Sequence, residues 1–257
     1  MKVAARMEQI PFSGIRTIFE EVIRREKMGE KLIHLNIGRP DFDTPAHIKE
    51  AAKKALDDGQ VHYSSNYGIP ELRIALAEKF KKENDLSYDP NKEIIVTVGG
   101  NEAVLMTMMG LLDPGDEVLI PDPCWLNYFY CVRMAGANPI SVPALQEHGF
   151  IPQLKEFRSR ITSKTRMIVI NTPNNPTGAV YDAKFLGELA QLAKEKDLYV
   201  LSDEIYEKMV YDGSRHISIG SLPDMKKRTI TVNGFSKAYS MTGWRLGHGI
   251  MPAALAE

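Results

Sequence analysis

Lys237 closes the segment Gly234-Phe235-Ser236-Lys237, directly after the β-branched run Thr229 to Val232. A lysine amine at a strand end can bind a carbonyl, although a lysine taken singly is more often a solvated surface group. Eight residues further on, Thr242-Gly243-Trp244-Arg245 adds an arginine. After Leu198 to Leu201 come Ser202-Asp203-Glu204-Ile205-Tyr206, which place a carboxylate and a phenol at another strand end. A carboxylate there is expensive unless it meets a cation; the competing account of these residues is a helix-capping Asp beside a surface Tyr. After Arg166 to Ile170 come the rigid turn residues Asn171 to Gly178, whose amides can donate into a crevice. After Ile94 to Val98, Gly99-Gly100-Asn101 opens a helix whose free N–H groups and positive dipole end favour an anion. By itself that turn is explained as well by Asn101 acting as an N-cap.

The set says more than its members. Ligands of an open parallel sheet bind beyond the carboxyl ends of its strands, and each of these groups lies on such a loop. An anion cradle, an amide loop, a carboxylate, a lysine and an arginine together suit a phosphorylated aromatic aldehyde. Its carbonyl needs an amine, its phosphate needs cations and N–H groups, and its ring nitrogen needs an acid.

The elements that must position these residues follow from the pattern. From about Leu32 onward, short β-branched runs alternate with stretches of helical period, separated by Gly, Pro, Asn and Asp clusters. That alternation predicts an α/β fold with a mostly parallel sheet flanked by helices. Strands are expected at Ile94 to Val98, Glu117 to Ile120, Arg166 to Ile170, Leu198 to Leu201, Thr229 to Val232 and around Leu246 to Ile250. Helices are expected from Asn101, with Ala103 to Leu112 as a buried core helix, and near Asp182 to Lys194. A charged helix from about Arg16 to Gly29 and an extended Leu32 to Asp43 segment form an arm outside the sheet. The expected division is an arm, with part of a small domain, at 1–45 and a large domain at 46–257.

Composition narrows the partners. Among 257 residues, 32 Lys and Arg stand against 33 Asp and Glu, a net charge of −1 that offers no field for nucleic acid or an anionic membrane. Cys124 and Cys131 form no ligand or disulfide pattern and suit a reducing compartment. The six histidines have no paired spacing, so no metal site is expected. The N-terminal stretch lacks the apolar core of a signal peptide, and a cytoplasmic location is expected.

The segments Asn175-Pro176-Thr177-Gly178, Ser202-Asp203-Glu204-Ile205-Tyr206 and Ser236-Lys237 with Arg245 resemble the class I/II aminotransferases of fold type I, in order and spacing. Gly38-Arg39-Pro40-Asp41-Phe42, Tyr67 to Arg73, Gly99 to Ala103 and Asp113 to Asp116 extend the resemblance almost end to end, closest to the bacterial and archaeal aspartate/aromatic subgroup. The resemblance implies the large domain of a pyridoxal-phosphate (PLP) enzyme. It implies that Lys237 holds PLP as a Schiff base and then moves the substrate proton, and that Asp203 pairs with the pyridine nitrogen. Asn175 and Tyr206 would bond the ring 3′ oxygen, and Trp125 would stack on the ring. Gly100, Asn101, Arg245 and Ser236 would take the phosphate; many relatives carry a serine where Gly234 stands. Tyr63 would reach the phosphate of a neighbouring subunit, which implies a homodimer, and Gly38 would approach the substrate carboxylate.

Relatives continue into a C-terminal small domain with an arginine for the substrate α-carboxylate, so a C-terminally truncated chain is expected. The expected activity is transfer of an amino group between an L-amino acid and a 2-oxo acid. The alternatives are a PLP-dependent lyase on the same fold, or a PLP-binding chain without turnover.

Overall fold

The central strands are apolar on both faces, and helices cover both. In chain order the elements are the helices α1 (Gly14–Lys27), α2 (Ala46–Asp57) and α3 (Pro70–Glu83), the strand β1 (Ile94–Thr97), then α4 (Gly100–Leu111), β2 (Glu117–Asp122), α5 (Asn127–Met134), β3 (Asn138–Pro143), α6 (Leu154–Arg158), β4 (Thr165–Asn171), α7 (Ala183–Glu195), β5 (Tyr199–Asp203), β6 (Thr229–Gly234), β7 (Gly247–Ile250) and α8 (Ala253–Ala256). This computed structural model describes residues 2–11 and 14–257, with the main chain alone at 15 and 16.

Seven strands make one sheet in the order β1-β7-β6-β5-β4-β2-β3. Strands β2 to β6 pair in parallel, while β7 is antiparallel to both β6 and β1. Six strands therefore point their carboxyl ends at one rim, and β7 begins there. The mostly parallel sheet flanked by helices is the fold that the sequence predicts.

Successive strand residues face opposite sides, and the core divides accordingly. Val104 and Met108 of α4, with Tyr128 and Val132 of α5, pack on Val118, Val169, Leu201 and Val232. On the opposite face Phe185, Leu186, Leu189 and Leu192 of α7 pack on Leu119, Ile168, Ile170 and Val200. Leu76 and Phe80 of α3 cover Ile94 and Ile250. Each fully buried side chain of this size contributes about 1.5–3 kcal/mol. Asp182 caps α7 by accepting from the Phe185 N–H at 2.8 Å, which stops the helix where the strand-to-helix loop needs to turn.

Every expected strand is present, displaced by at most two residues at an end. Elements outside the expectation are α2, α3, α5, α6, α8 and β3. The expected arm helix is α1, and residues 28–45 carry no helix or strand. Thr44 fastens the end of this segment: its hydroxyl donates to the Ser240 carbonyl at 2.6 Å and accepts from Trp244 Nε1 at 3.2 Å. Among the described residues, no helix is long and apolar enough to cross a membrane. Both cysteines are free thiols; burial pushes Cys124 up to about 12 and Cys131 to about 11, so neither is a ready nucleophile.

Candidate active site

Asp203 ends β5, in register with Asn171 of β4 and Val232 of β6. It shares the face of Leu201 and so turns towards the α4 and α5 layer. There the Tyr128 hydroxyl donates to Asp203 Oδ2 at 2.6 Å, and the Ile205 N–H donates to Oδ1 at 3.1 Å. Burial pushes this carboxyl up to about 6, against the pull of those two bonds and helped by the charge of Glu204. Two donors therefore do not fully compensate the lost hydration, and a cation beside Asp203 would.

Tyr128 is a residue that sequence reasoning missed. Its ring meets Trp125 edge-on, with centroids 5.3 Å apart and planes at 83°. Trp125 and Tyr128 are three apart at the start of a helix, a spacing that puts two side chains on one side, and that was the available signal.

The loop after β4 is tied to the end of β5. The Asn175 N–H donates to Asn171 Oδ1 at 2.8 Å, and Asn171 Nδ2 donates to the Asp203 carbonyl at 3.0 Å. Asn175 Nδ2 reaches the Tyr206 hydroxyl at 3.4 Å. The side-chain amide and the phenol thus form one polar pair on the rim.

Lys237 follows β6 and is half-buried. Its Nζ donates to the Gly38 carbonyl at 2.7 Å and lies 5.6 Å from the Tyr206 ring centroid. Burial lowers its proton affinity, which enlarges the share of neutral, nucleophilic amine. The arm fastened at Thr44 is what brings Gly38 to this lysine. Ser236 is buried directly before it.

The N-terminus of α4 is built for close approach. Gly99 is the N-cap, with φ 75°, so Asn101 lies in the first helical turn and the capping account of Asn101 is corrected. A Cβ on Gly99 would strike the Arg245 guanidinium, and one on Gly247 would strike the main chain of Gly99 and Gly100. The first strand-end helix, the start of β7 and the Arg245 guanidinium are therefore packed against one another. Arg245 is held there by a bond from Nη1 to the Thr242 carbonyl at 2.9 Å, with its own main chain left-handed at φ 55°. First-turn N–H groups have no acceptor within the helix, so those of Gly100 and Asn101 lie open beside a guanidinium, an arrangement that could take an anion. Asn127 Nδ2 reaches Asn101 Oδ1 at 3.3 Å.

One rim thus gathers Lys237, Asp203, Tyr206, Asn175, Gly38 and, with Arg245, Gly100 and Asn101. Trp125 joins them through Tyr128. Tyr63 is fully exposed.

Residues 30–257 match the family model described as aminotransferase class I and II. An aspartate aminotransferase of Pyrococcus abyssi is 48% identical over the whole chain, and an aromatic-amino-acid aminotransferase 2 of Thermococcus litoralis is 49% identical. The chain spans 65% of the length of each. Among solved structures, an aspartate aminotransferase of Thermus thermophilus with maleate is 44% identical and superposes with a TM-score of 0.95, over 100% of this chain and 66% of that one.

Proposed function

Because the chain belongs to the aminotransferase class I and II family, we propose that it serves to move an amino group between an L-amino acid and a 2-oxo acid, using PLP held by Lys237. The observation that carries this reading is the meeting of a half-buried lysine, an undercompensated buried carboxylate and an arginine-capped helix N-terminus on one rim. The donor set fits PLP group by group. Arg245 with the N–H groups of Gly100 and Asn101 suits a phosphate, Asp203 suits a protonated ring nitrogen, and Asn175 with Tyr206 suits the ring oxygen. Trp125 offers an aromatic face.

What PLP supplies when bound is a ring that draws electrons away from the substrate Cα. The chain does the rest. Lys237 Nζ is the amine that would hold the cofactor carbonyl and would move the proton of the substrate Cα. Asp203 would keep the ring nitrogen protonated, and that cation would lower the cost of the buried charge of Asp203. Arg245 neutralises phosphate charge and fixes the orientation. The Gly38 carbonyl accepts from the lysine amine, and its main chain would meet the substrate carboxylate.

The same reading includes a homodimer in which exposed Tyr63 reaches a neighbour's phosphate, and a place in cytoplasmic amino-acid metabolism. The test is a panel of amino donors added to the PLP-loaded chain, followed by absorbance, with 2-oxo acid reversal as the second half. Donor-dependent conversion to the amine form supports transamination; release of pyruvate and ammonia would assign a lyase instead. Lys237→Ala is expected to abolish the band of lysine-bound PLP.

A further inference from the structure

Residues 203–207 alternate between two sides of one turn. Asp203 and Tyr206 face the rim, whereas Glu204 and Glu207 turn into the protein behind it. Glu204 is 0% exposed and Glu207 8%. Glu204 Oε1 accepts from the Ser202 and Ser218 hydroxyls at 2.8 and 2.7 Å, and its Oε2 meets His216 Nε2 at 2.9 Å. Glu207 Oε1 pairs with Lys79, and its Oε2 accepts from Asn84 Nδ2 at 2.7 Å. Lys79 also donates to Asn84 Oδ1 at 2.8 Å. The main chain closes the unit: the Glu204 N–H donates to the Val232 carbonyl at 2.8 Å, and the Glu207 N–H to the Glu204 carbonyl at 2.9 Å.

Burying two carboxylates is expensive, and packed apolar groups of the same volume would often stabilise such a turn as well or better. Charges kept at this place point to a task other than stability. A cation site is the first alternative, since Glu204, Glu207 and His216 offer ligand atoms all within 4.8 Å of one another. Yet all four carboxylate oxygens already have partners, one of them the Lys79 ammonium. A metal ion would have to displace an existing cation. The arrangement is a clamp filled by its own donors.

We propose that Glu204 and Glu207 are positioning residues that fix the Asp203 to Tyr206 turn against the cofactor ring, Glu204 through His216 and Ser218, and Glu207 through Lys79 and Asn84. This rests on the reading that Asp203 and Tyr206 face PLP. The two anchors come from different parts of the chain, the end of α3 and the segment before β6, so the turn is gripped from both sides. Glu204 also acts at a distance: its charge favours the protonated form of Asp203, and so sets charge as well as position.

The test compares Glu204→Gln, Ser218→Ala, Glu207→Gln and Lys79→Gln with the unaltered chain. In the cofactor-free chain carrying ζ-13C tyrosine, the Tyr206 and Tyr128 resonances are assigned with Tyr206→Phe and Tyr128→Phe. The Glu207 and Lys79 variants are expected to shift the Tyr206 resonance, and the Glu204 and Ser218 variants that of Tyr128. With PLP, the same variants should raise its dissociation constant about tenfold, by analogy with loss of an outer partner at metal sites. They should also displace the titration midpoint of the visible band by roughly half a pH unit or more. Lowered melting temperatures with unmoved resonances and an unmoved midpoint would overturn the proposal. If Glu204→Gln does not fold, Ser218→Ala, which removes one neutral donor, decides the same question. If the unaltered chain forms no band with PLP, the transaminase reading fails, while the tyrosine resonances still decide the positioning role.

Discussion

The Tyr128 hydroxyl stands 2.6 Å from Asp203 Oδ2, and both side chains are buried. The bond favours the charged carboxylate, so its loss lets burial push the Asp203 proton affinity higher still. Tyr128→Phe keeps the ring and its edge contact with Trp125. A hydrogen bond to a charged group is worth about 1.5–3 kcal/mol, so kcat is expected to fall about 10- to 100-fold while the fold is kept. Steady-state rates and near-ultraviolet circular dichroism check this.

Asp203 also makes the cofactor-free chain sensitive to pH. Its carboxyl is pushed up to about 6 from an ordinary value of 3.8, so between these values the folded chain binds more protons than the unfolded one. Stability is then greatest below the lower value and is lost as pH rises through about 6. Asp203→Asn removes this loss, and the cofactor-free variant should be about 1–3 kcal/mol more stable than its parent at pH 8 and equal to it near pH 4. Urea titrations at the two pH values test the sign; with PLP present the variant should bind more weakly than its parent.

Arg245 distinguishes phosphate binding from ring binding. Arg245→Ala is expected to weaken PLP by about 10- to 100-fold, since a charge-assisted contact at a helix N-terminus is removed. Pyridoxal without its phosphate should bind both forms alike. Equal losses for the two ligands would place Arg245 outside the phosphate site.

Gly247 lies where a Cβ would strike the main chain of Gly99 and Gly100, whereas Gly243 has nothing within 4 Å of that position. Gly247→Ala should destabilise the chain by about 1–3 kcal/mol through forced main-chain shifts and weaken PLP binding. Gly243→Ala should leave the affinity for PLP unchanged. Thermal melts and PLP titrations of the pair test the packing that builds the anion cradle.

The rim was legible because strand ends carry local signals: Gly99-Gly100, the Asn171 to Gly178 turn and Asp203 each follow a β-branched run. The alternation of Met167, Ile168, Val169 and Ile170 between two cores explains why an unbroken apolar run reads as a doubly covered strand. Strand β3 was hidden because Pro139 and Pro143 suppress the strand signal, and only its place at the sheet edge accommodates them. The Glu207 and Lys79 pair was hidden for another reason. It joins residues 128 apart, and no local period encodes a contact of that span. Gly38 was readable only as part of a motif; its contact with Lys237 depends on Thr44 pinning the arm.

The antiparallel strand β7 sits between β1 and β6, and Arg245 stands two residues before its first residue. Until β7 inserts, β1 has no partner in the sheet, and the guanidinium is not beside the helix that β1 leads into. During synthesis from the N-terminus, the lysine, the carboxylate and the helix all emerge before the strand that joins them. With Arg245 as the proposed phosphate clamp, capture of the cofactor phosphate would be a late event in folding and would report closure of the sheet across its most distant pairing in the chain.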